Sequence, residues 1–110
     1  MKILILGAGR VGSSLASTLS KQQYEVSVVD LNKDKLQRLQ EDFDLATEVG
    51  HGSYPSTLKK AGADEETILL AVTNSDECNI TSCQIAKSKF NVKKTICRFC
   101  LLYTSDAADE

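Results

Sequence analysis

Apolar and polar positions along the chain switch repeatedly between a strand-like and a helix-like period. Lys2–Leu6 is an apolar run closed by Gly7 and reads as a first strand. Beyond a glycine-rich turn, Val11, Leu15 and Leu19 recur at helical spacing with Ala16 beside them, giving one apolar helix face. Glu25–Asp30 (Glu-Val-Ser-Val-Val-Asp) is a second strand. Asn32 suits the cap of a second helix, on which Leu36, Leu39 and Phe43 form the buried stripe. Leu45–Val49 is a weaker third strand that ends at Gly50-His51-Gly52. Pro55 fits the first turn of a short helix through Leu58 that stops at Gly62. Thr67–Thr73 is almost continuously apolar, as a central strand buried on both faces would be. Asn74 with Glu77 predicts a capping box for a helix whose apolar positions are Ile80, Cys83, Ala86 and Phe90, and Thr95–Phe99 is a fifth strand.

Strands separated by helices imply right-handed β-α-β crossovers. The expected fold is α/β: a Rossmann-like, doubly wound parallel sheet of five strands in the order 3-2-1-4-5, with two helices on each face. The expected domain spans residues 1–100, and no repeat or linker interrupts it.

With 42% hydrophobic and 25% charged residues, the 110-residue chain carries enough apolar side chains for one core and is not disordered by composition. No window approaches the roughly 20 consecutive apolar residues of a membrane span. The initial apolar run is too short for a signal peptide, which places the chain in the cytoplasm. The net charge is −2, with Asp106, Asp109 and Glu110 all in the last ten residues. The rest is close to neutral and has no strong field for nucleic acid, so a nucleic-acid partner is not expected.

Four cysteines, Cys78, Cys83, Cys97 and Cys100, crowd into one quarter of the chain. On a strand, Cys97 and Cys100 point to opposite faces. On a helix, Cys78 and Cys83 diverge by about 140°. Neither spacing holds a zinc ion or a disulfide, so buried thiols of a reducing compartment are expected. His51 is the only histidine, which rules out a histidine cluster for metal; no metal site is expected.

The chemistry concentrates in Gly7-x-Gly9-x-x-Gly12, which follows a strand and opens a helix. Gly7 permits the tight turn, Gly9 lets the backbone approach a pyrophosphate, and Gly12 allows close helix–strand packing. The helix start beyond them offers free N–H groups and a partial positive charge to phosphate. Eighteen residues after Gly12, Asp30 ends the second strand, where a carboxylate accepts the hydroxyls of an adenosine ribose and repels a 2′-phosphate. NAD or NADH is therefore favoured over NADP. Asp30 alone does not distinguish NAD from ATP, ADP or AMP. Arg10 is placed to reach the pyrophosphate from within the glycine loop. His51, between two glycines at a strand end, is a candidate lining for the adenine, with a plain loop residue as the other reading. A catalytic role for it lacks any proton-relay partner in the neighbouring sequence. Thr73 and Asn74 lie just past the switch point of such a sheet, where they can bond the second ribose or a phosphate. Capping is the other role open to Asn74 and to Glu77.

Dehydrogenases of this fold need a substrate domain and an acid–base group, and no Tyr-x-x-x-Lys pair, Gly-x-Ser-x-Gly elbow or Gly-Lys-Ser/Thr loop is present. The chain is expected to bind a nucleotide without being an enzyme. Two alternatives are a cofactor-binding fragment of an NAD-dependent oxidoreductase and a free-standing interaction domain with a vestigial nucleotide site.

Leu6-Gly7-Ala8-Gly9-Arg10-Val11-Gly12, Val29-Asp30, Gly50-His51-Gly52-Ser53 and Ala61-Gly62-Ala63 occur in the order of a known family. So do Ala71-Val72-Thr73-Asn74-Ser75-Asp76-Glu77 and Cys83-Gln84-Ile85-Ala86. On these residues the chain resembles the TrkA-N, or regulator-of-potassium-conductance (RCK), domains from residue 1 to about 99. The resemblance implies a peripheral protein on the cytoplasmic face of the inner membrane, a regulatory subunit of bacterial potassium uptake. It would bind NAD(H), with ATP or ADP as further occupants of the same site, assemble as a homo-oligomeric ring and gate a membrane potassium transporter. It carries ligand contacts to Gly7, Gly9, Arg10, Gly12, Asp30, Thr73, Asn74 and Glu77, and to His51 and Arg98. The family pattern continues with a sixth strand and dimerising helices. Leu101–Glu110 fits no part of that pattern, so a truncated domain with a non-native, disordered tail is expected, its fifth strand left with an open edge.

Overall fold

The computed structural model describes residues 1–98. The expected end of the fifth strand at Phe99, the second thiol of the Cys97–Cys100 motif, and the tail over 101–110 lie outside the described residues. Among the described residues nine elements alternate: β1 (Lys2–Leu6), α1 (Arg10–Lys21), β2 (Glu25–Asp30), α2 (Lys33–Asp42), β3 (Ala46–Val49), α3 (Pro55–Lys60), β4 (Thr67–Ala71), α4 (Asp76–Phe90) and β5 (Lys94–Cys97). The strands form one parallel sheet in the order β3-β2-β1-β4-β5, as the alternation predicts.

The strand period divides the core in two. On one face Ile3 and Ile5 of β1 pack with Val26, Val28, Leu36 and Leu39 beneath α1 and α2. On the other, Leu4 and Leu6 pack with Leu58, Leu69, Ala71 and Ala86 beneath α3 and α4. Ile5 sits between Val28 and Leu70 in register and is wholly buried. Each such aliphatic side chain contributes about 1.5–3 kcal/mol of transfer free energy. The central strand is thus anchored on both sides. Main-chain bonds continue the ladders past the strand ends, Val72 N–H to the Leu6 carbonyl, Gly50 N–H to that of Asp30, and Arg98 N–H to that of Ala71, at 3.0 Å each. They carry residues 50, 72 and 98 to the C-terminal edge of the sheet.

Local departures from the expected pattern cluster at this edge. Val11 is exposed, because the first turn of α1 projects beyond the end of β1 and has no sheet to pack on. β4 stops at Ala71, whereas at the opposite edge β5 begins one residue early, at Lys94. The cap of α4 is Ser75, whose hydroxyl accepts from Cys78 N–H at 3.1 Å, and not Asn74. Asn74 is left outside the helix, and Glu77 falls in its first turn. The buried face of α4 is Asn79, Ser82 and Ala86, while Ile80 points outward. The apolar spacing fails there because the inward residues of the first two turns are polar.

Candidate functional site

Between β1 and α1 the chain makes the turn that its glycines require. Gly7 has φ +108°, and its N–H donates to the Val29 carbonyl at 2.8 Å. A Cβ on Gly7 would stand 3.1 Å from the Thr73 Cα, so the loop passes directly over the end of β4. At Gly12 a Cβ would fall 1.7 Å from the Gly7 carbonyl oxygen. Gly12 is therefore a packing requirement beneath the loop rather than a lining of the site. Gly9 differs: a Cβ there meets nothing within 4 Å, so the space above it is open to another molecule. The helix start behind Gly9 has no side-chain cap and no acid in its first turn, unlike α2 and α4, which Asn32 and Ser75 cap. Its free N–H groups and dipole favour an anion.

Asp30 closes this loop. One carboxylate oxygen accepts from Ala8 N–H and the other from Asn32 N–H, each at 2.7 Å. The side chain thus ties the glycine loop to the start of α2. A carboxylate oxygen has a second acceptor direction, which leaves Asp30 able to receive two further donors.

Two adjoining cavities flank Asp30 and share Gly7, Thr73 and Asn74 with it. The first, about 310 Å³, lies under the Gly50-His51-Gly52 loop and is walled by Leu6, Val29 and Leu31. The second, about 360 Å³, is bordered by Gly9, Arg10, Lys35 and Arg98. Among the described residues the one ion pair is Lys2 with Asp64, so no described carboxylate lies within 4 Å of these three cations. Lys35 was not singled out by sequence. The predicted Asn32 cap is the signal that could have found it, since it sets the first turn of α2 beside the glycine loop.

His51 is held by its neighbours. Its Nδ1 accepts from Ser53 N–H at 3.2 Å and lies 2.7 Å from the Ser53 hydroxyl, and its ring stacks on Tyr54 with centroids 5.1 Å apart. The amide contact assigns the ring proton to Nε2. A hydroxyl partner therefore does exist in the adjacent sequence, contrary to expectation, because the turn at Gly52 folds Ser53 back onto the ring.

The end of β4 is fixed by a residue the sequence reading passed over. Asn79 is wholly buried. Its Oδ1 accepts from Thr73 N–H at 3.0 Å and from the Thr73 hydroxyl at 2.6 Å. Its Nδ2 donates to the Thr73 carbonyl at 3.1 Å and the Arg98 carbonyl at 2.9 Å. A polar residue in a helix reads as surface, so only the partners reveal it. Of the predicted residues, the fold gathers Gly7, Gly9, Arg10 and Asp30 with Thr73, Asn74 and Arg98, and adds His51 on the adenosine-sized side. Glu77 borders neither cavity.

Among the described residues, the thiols of Cys78, Cys83 and Cys97 are free. Burial raises the Cys78 pKa, and it pushes the Cys83 thiol up to about 12, with Cys97 beside it adding to the shift. The proximity of Cys83 and Cys97 across α4 and β5 is a pairing that the spacing within each segment did not suggest. No group of three metal-ligating side chains occurs among the described residues. No described helix is long and apolar enough to cross a membrane.

Comparison with known proteins gives a consistent neighbourhood. The family model described as the TrkA-N domain matches residues 3–107. The Trk system potassium uptake protein TrkA of Vibrio alginolyticus is 45% identical over 98 residues, which are 89% of this chain and 21% of that protein. The chain therefore spans about a fifth of the length of that relative. Among solved structures, the AMP-bound C-terminal domain of Kef from Shewanella denitrificans superposes with a TM-score of 0.71 at 20% identity, over 87% of this chain and 57% of that one. ChuY, an anaerobillin reductase from Escherichia coli O157:H7, gives 0.72 at 18% identity, over 86% and 48%. Both structural likenesses concern the fold.

Proposed function

The chain belongs to the TrkA-N domain family, and from that premise we propose that it is the nucleotide-binding part of a regulatory subunit of bacterial Trk potassium uptake. The ligand is NAD or NADH, with ATP or ADP as further occupants of the same site. The observation that carries this reading is the pair of cavities meeting at Asp30, one apolar and one bordered by three cations that pair with no described carboxylate. An adenosine fits the first, with its ribose hydroxyls donating to the remaining acceptor directions of Asp30 and its base beside His51. The phosphates fit the second, over Gly9 and the uncapped start of α1, with Arg10, Lys35 and Arg98 around them. The AMP in the Kef relative supports the adenosine half of this reading.

The relatives named for potassium uptake support a regulatory and non-enzymatic role, in which nucleotide occupancy controls a membrane potassium transporter. On this reading the protein works in the cytoplasm, against the inner membrane, and its full-length form assembles with copies of itself. Residues 1–100 are, on this reading, the nucleotide-binding domain. The reductase neighbour shares only the fold and does not favour the oxidoreductase alternative. Calorimetric titration of NADH, NAD, ATP and ADP into the purified chain tests the proposal. Saturable binding of at least one, with NAD ahead of NADP, is expected. No binding by any of the four overturns it.

A further inference from the structure

The geometry points to Asn79 as a positioning residue that holds Thr73 and Arg98 at the phosphate side of the nucleotide site. This inference rests on the nucleotide reading above and specifies how one half of that site is built. Its basis is a complete hydrogen-bond ledger. A carboxamide has two N–H donors and two acceptor directions on its oxygen. Asn79 uses all four, three on Thr73 and one on Arg98. The contacts also fix the orientation of the amide, because the Thr73 N–H must meet an oxygen and the two carbonyls must meet N–H groups.

The location gives this arrangement its meaning. β4 ends at Ala71 and β5 at Cys97, so Thr73 and Arg98 sit where two paired strands have lost their ladder. The last bond between them is Arg98 N–H to the Ala71 carbonyl. Beyond it, Asn79 supplies the missing partner: its side chain bonds both the N–H and the carbonyl of Thr73, as a neighbouring strand would, and bridges to the Arg98 carbonyl. Thr73 and Arg98 both border the cation-rich cavity, and Asn79 does not. An isolated buried amide is costly, whereas a fully bonded one fixes a single geometry. Asn79 therefore acts on the ligand through these two residues. It makes no bond to Asp30, which takes its own from Ala8 and Asn32, and of the two residues it holds only Thr73 also borders the adenosine-sized cavity.

Replacement of Asn79 by Asp keeps the shape and turns the two donors into an acceptor facing two carbonyls. AMP places one phosphate over the glycine loop, and ADP and NADH extend past it toward Thr73 and Arg98. In the full chain, Asn79→Asp is expected to weaken ADP and NADH by about tenfold or more, the equivalent of one or two lost hydrogen bonds, with AMP changed less than about threefold. A purely structural role would weaken all three ligands alike, and equal loss or no loss overturns the inference. Should the variant not fold, the native chain decides. The Asn79 side-chain amide protons, followed by NMR, are expected to shift with ADP and much less with AMP. An unmoved signal at saturating ADP overturns the inference. Failure of the native chain to bind any of these nucleotides would instead defeat the underlying reading.

Discussion

The two ends of the sheet are made from the same strands in the same register, yet they are finished differently. At the N-terminal end one pair of charges is matched. Lys2 pairs with Asp64, whose carboxylate also accepts from Glu66 N–H at 2.9 Å and from the Thr67 hydroxyl at 3.2 Å, and Asp64 N–H donates back to that hydroxyl at 3.0 Å. At the C-terminal end, Arg10, Lys35 and Arg98 lack such a partner among the described residues, α1 starts uncapped, and Gly9 faces open space. On the proposed reading, the uncapped start of α1 and the open space over Gly9 suit the C-terminal end to an anion from outside the chain, in line with the position of ligands in open α/β sheets.

The largest expected effect separates packing from binding within a single loop. Gly12→Ala drives a methyl group into the Gly7 carbonyl, a backbone atom held by the turn. Destabilisation at or above the roughly 1–3 kcal/mol typical of overpacking is expected in denaturant melts. Gly9→Ala meets no protein atom, so its melting midpoint should stay within about 0.5 kcal/mol of native, apart from the small helix-cap change, while nucleotide affinity drops. If Gly9→Ala binds nucleotide normally, the open space over the loop is not where phosphate lies.

The next effect tests the hinge between the two cavities. Asp30→Ala removes one or two charge-assisted bonds to a ribose, each worth about 1.5–3 kcal/mol, so affinity for NADH should fall at least about tenfold by calorimetry. It also releases Ala8 N–H and Asn32 N–H, so a modest loss of stability should accompany it. NADP should bind the native chain more weakly than NAD. Equal binding of the two, or an unaltered affinity in the variant, would move the ribose away from the end of β2.

These effects bear on what the sequence makes legible. The strand order, both core halves and the glycine turn follow from periodicity and from glycine stereochemistry, which are local properties. The contacts of Asn79, Ser53 and Lys35 are not local in this sense. Asn79 is polar yet buried, so the apolar spacing of α4 selected Ile80 in its place. The pairing of Ser53 with His51 depends on the fold of one tight turn, and the meeting of Cys83 with Cys97 depends on how α4 lies on β5. Periodicity identifies faces that exclude water. A polar residue satisfied by the main chain of another segment carries no periodic signal.

A smaller effect belongs to the rim of the C-terminal end. Arg10 is exposed, and an exposed charge contributes little at ordinary salt. Arg10→Ala should weaken ADP by a few-fold at low ionic strength and by less at about 0.5 M salt, where the Debye length shortens. A loss that does not depend on salt would mean that Arg10 makes a buried, directed contact rather than contributing to the field.

The smallest effect lies at the opposite end and asks whether the two ends are independent. The hydrogen bond from Lys2 is the main cause that lowers the Asp64 pKa, and the same bond is the main cause that raises that of Lys2. A carboxylate with a lowered folded pKa adds stability above its ordinary titration range and loses it as pH falls through the folded value. A lysine with a raised pKa keeps its contribution until pH climbs through its own folded value. The pair therefore acts between about pH 4 and about pH 10. Both groups reach solvent, so screening keeps the contribution small. Asp64→Asn should lower the melting temperature slightly at pH 7, with the difference from native vanishing near pH 2 and shrinking in high salt. Nucleotide affinity should not change, because no bond of Asp64 reaches the C-terminal edge. A measurable loss of NADH or ADP affinity in Asp64→Asn would mean that strain at the matched end is transmitted along β1 and β4 to the glycine loop, and the contrast between an end that holds the fold and an end that holds the ligand would no longer stand.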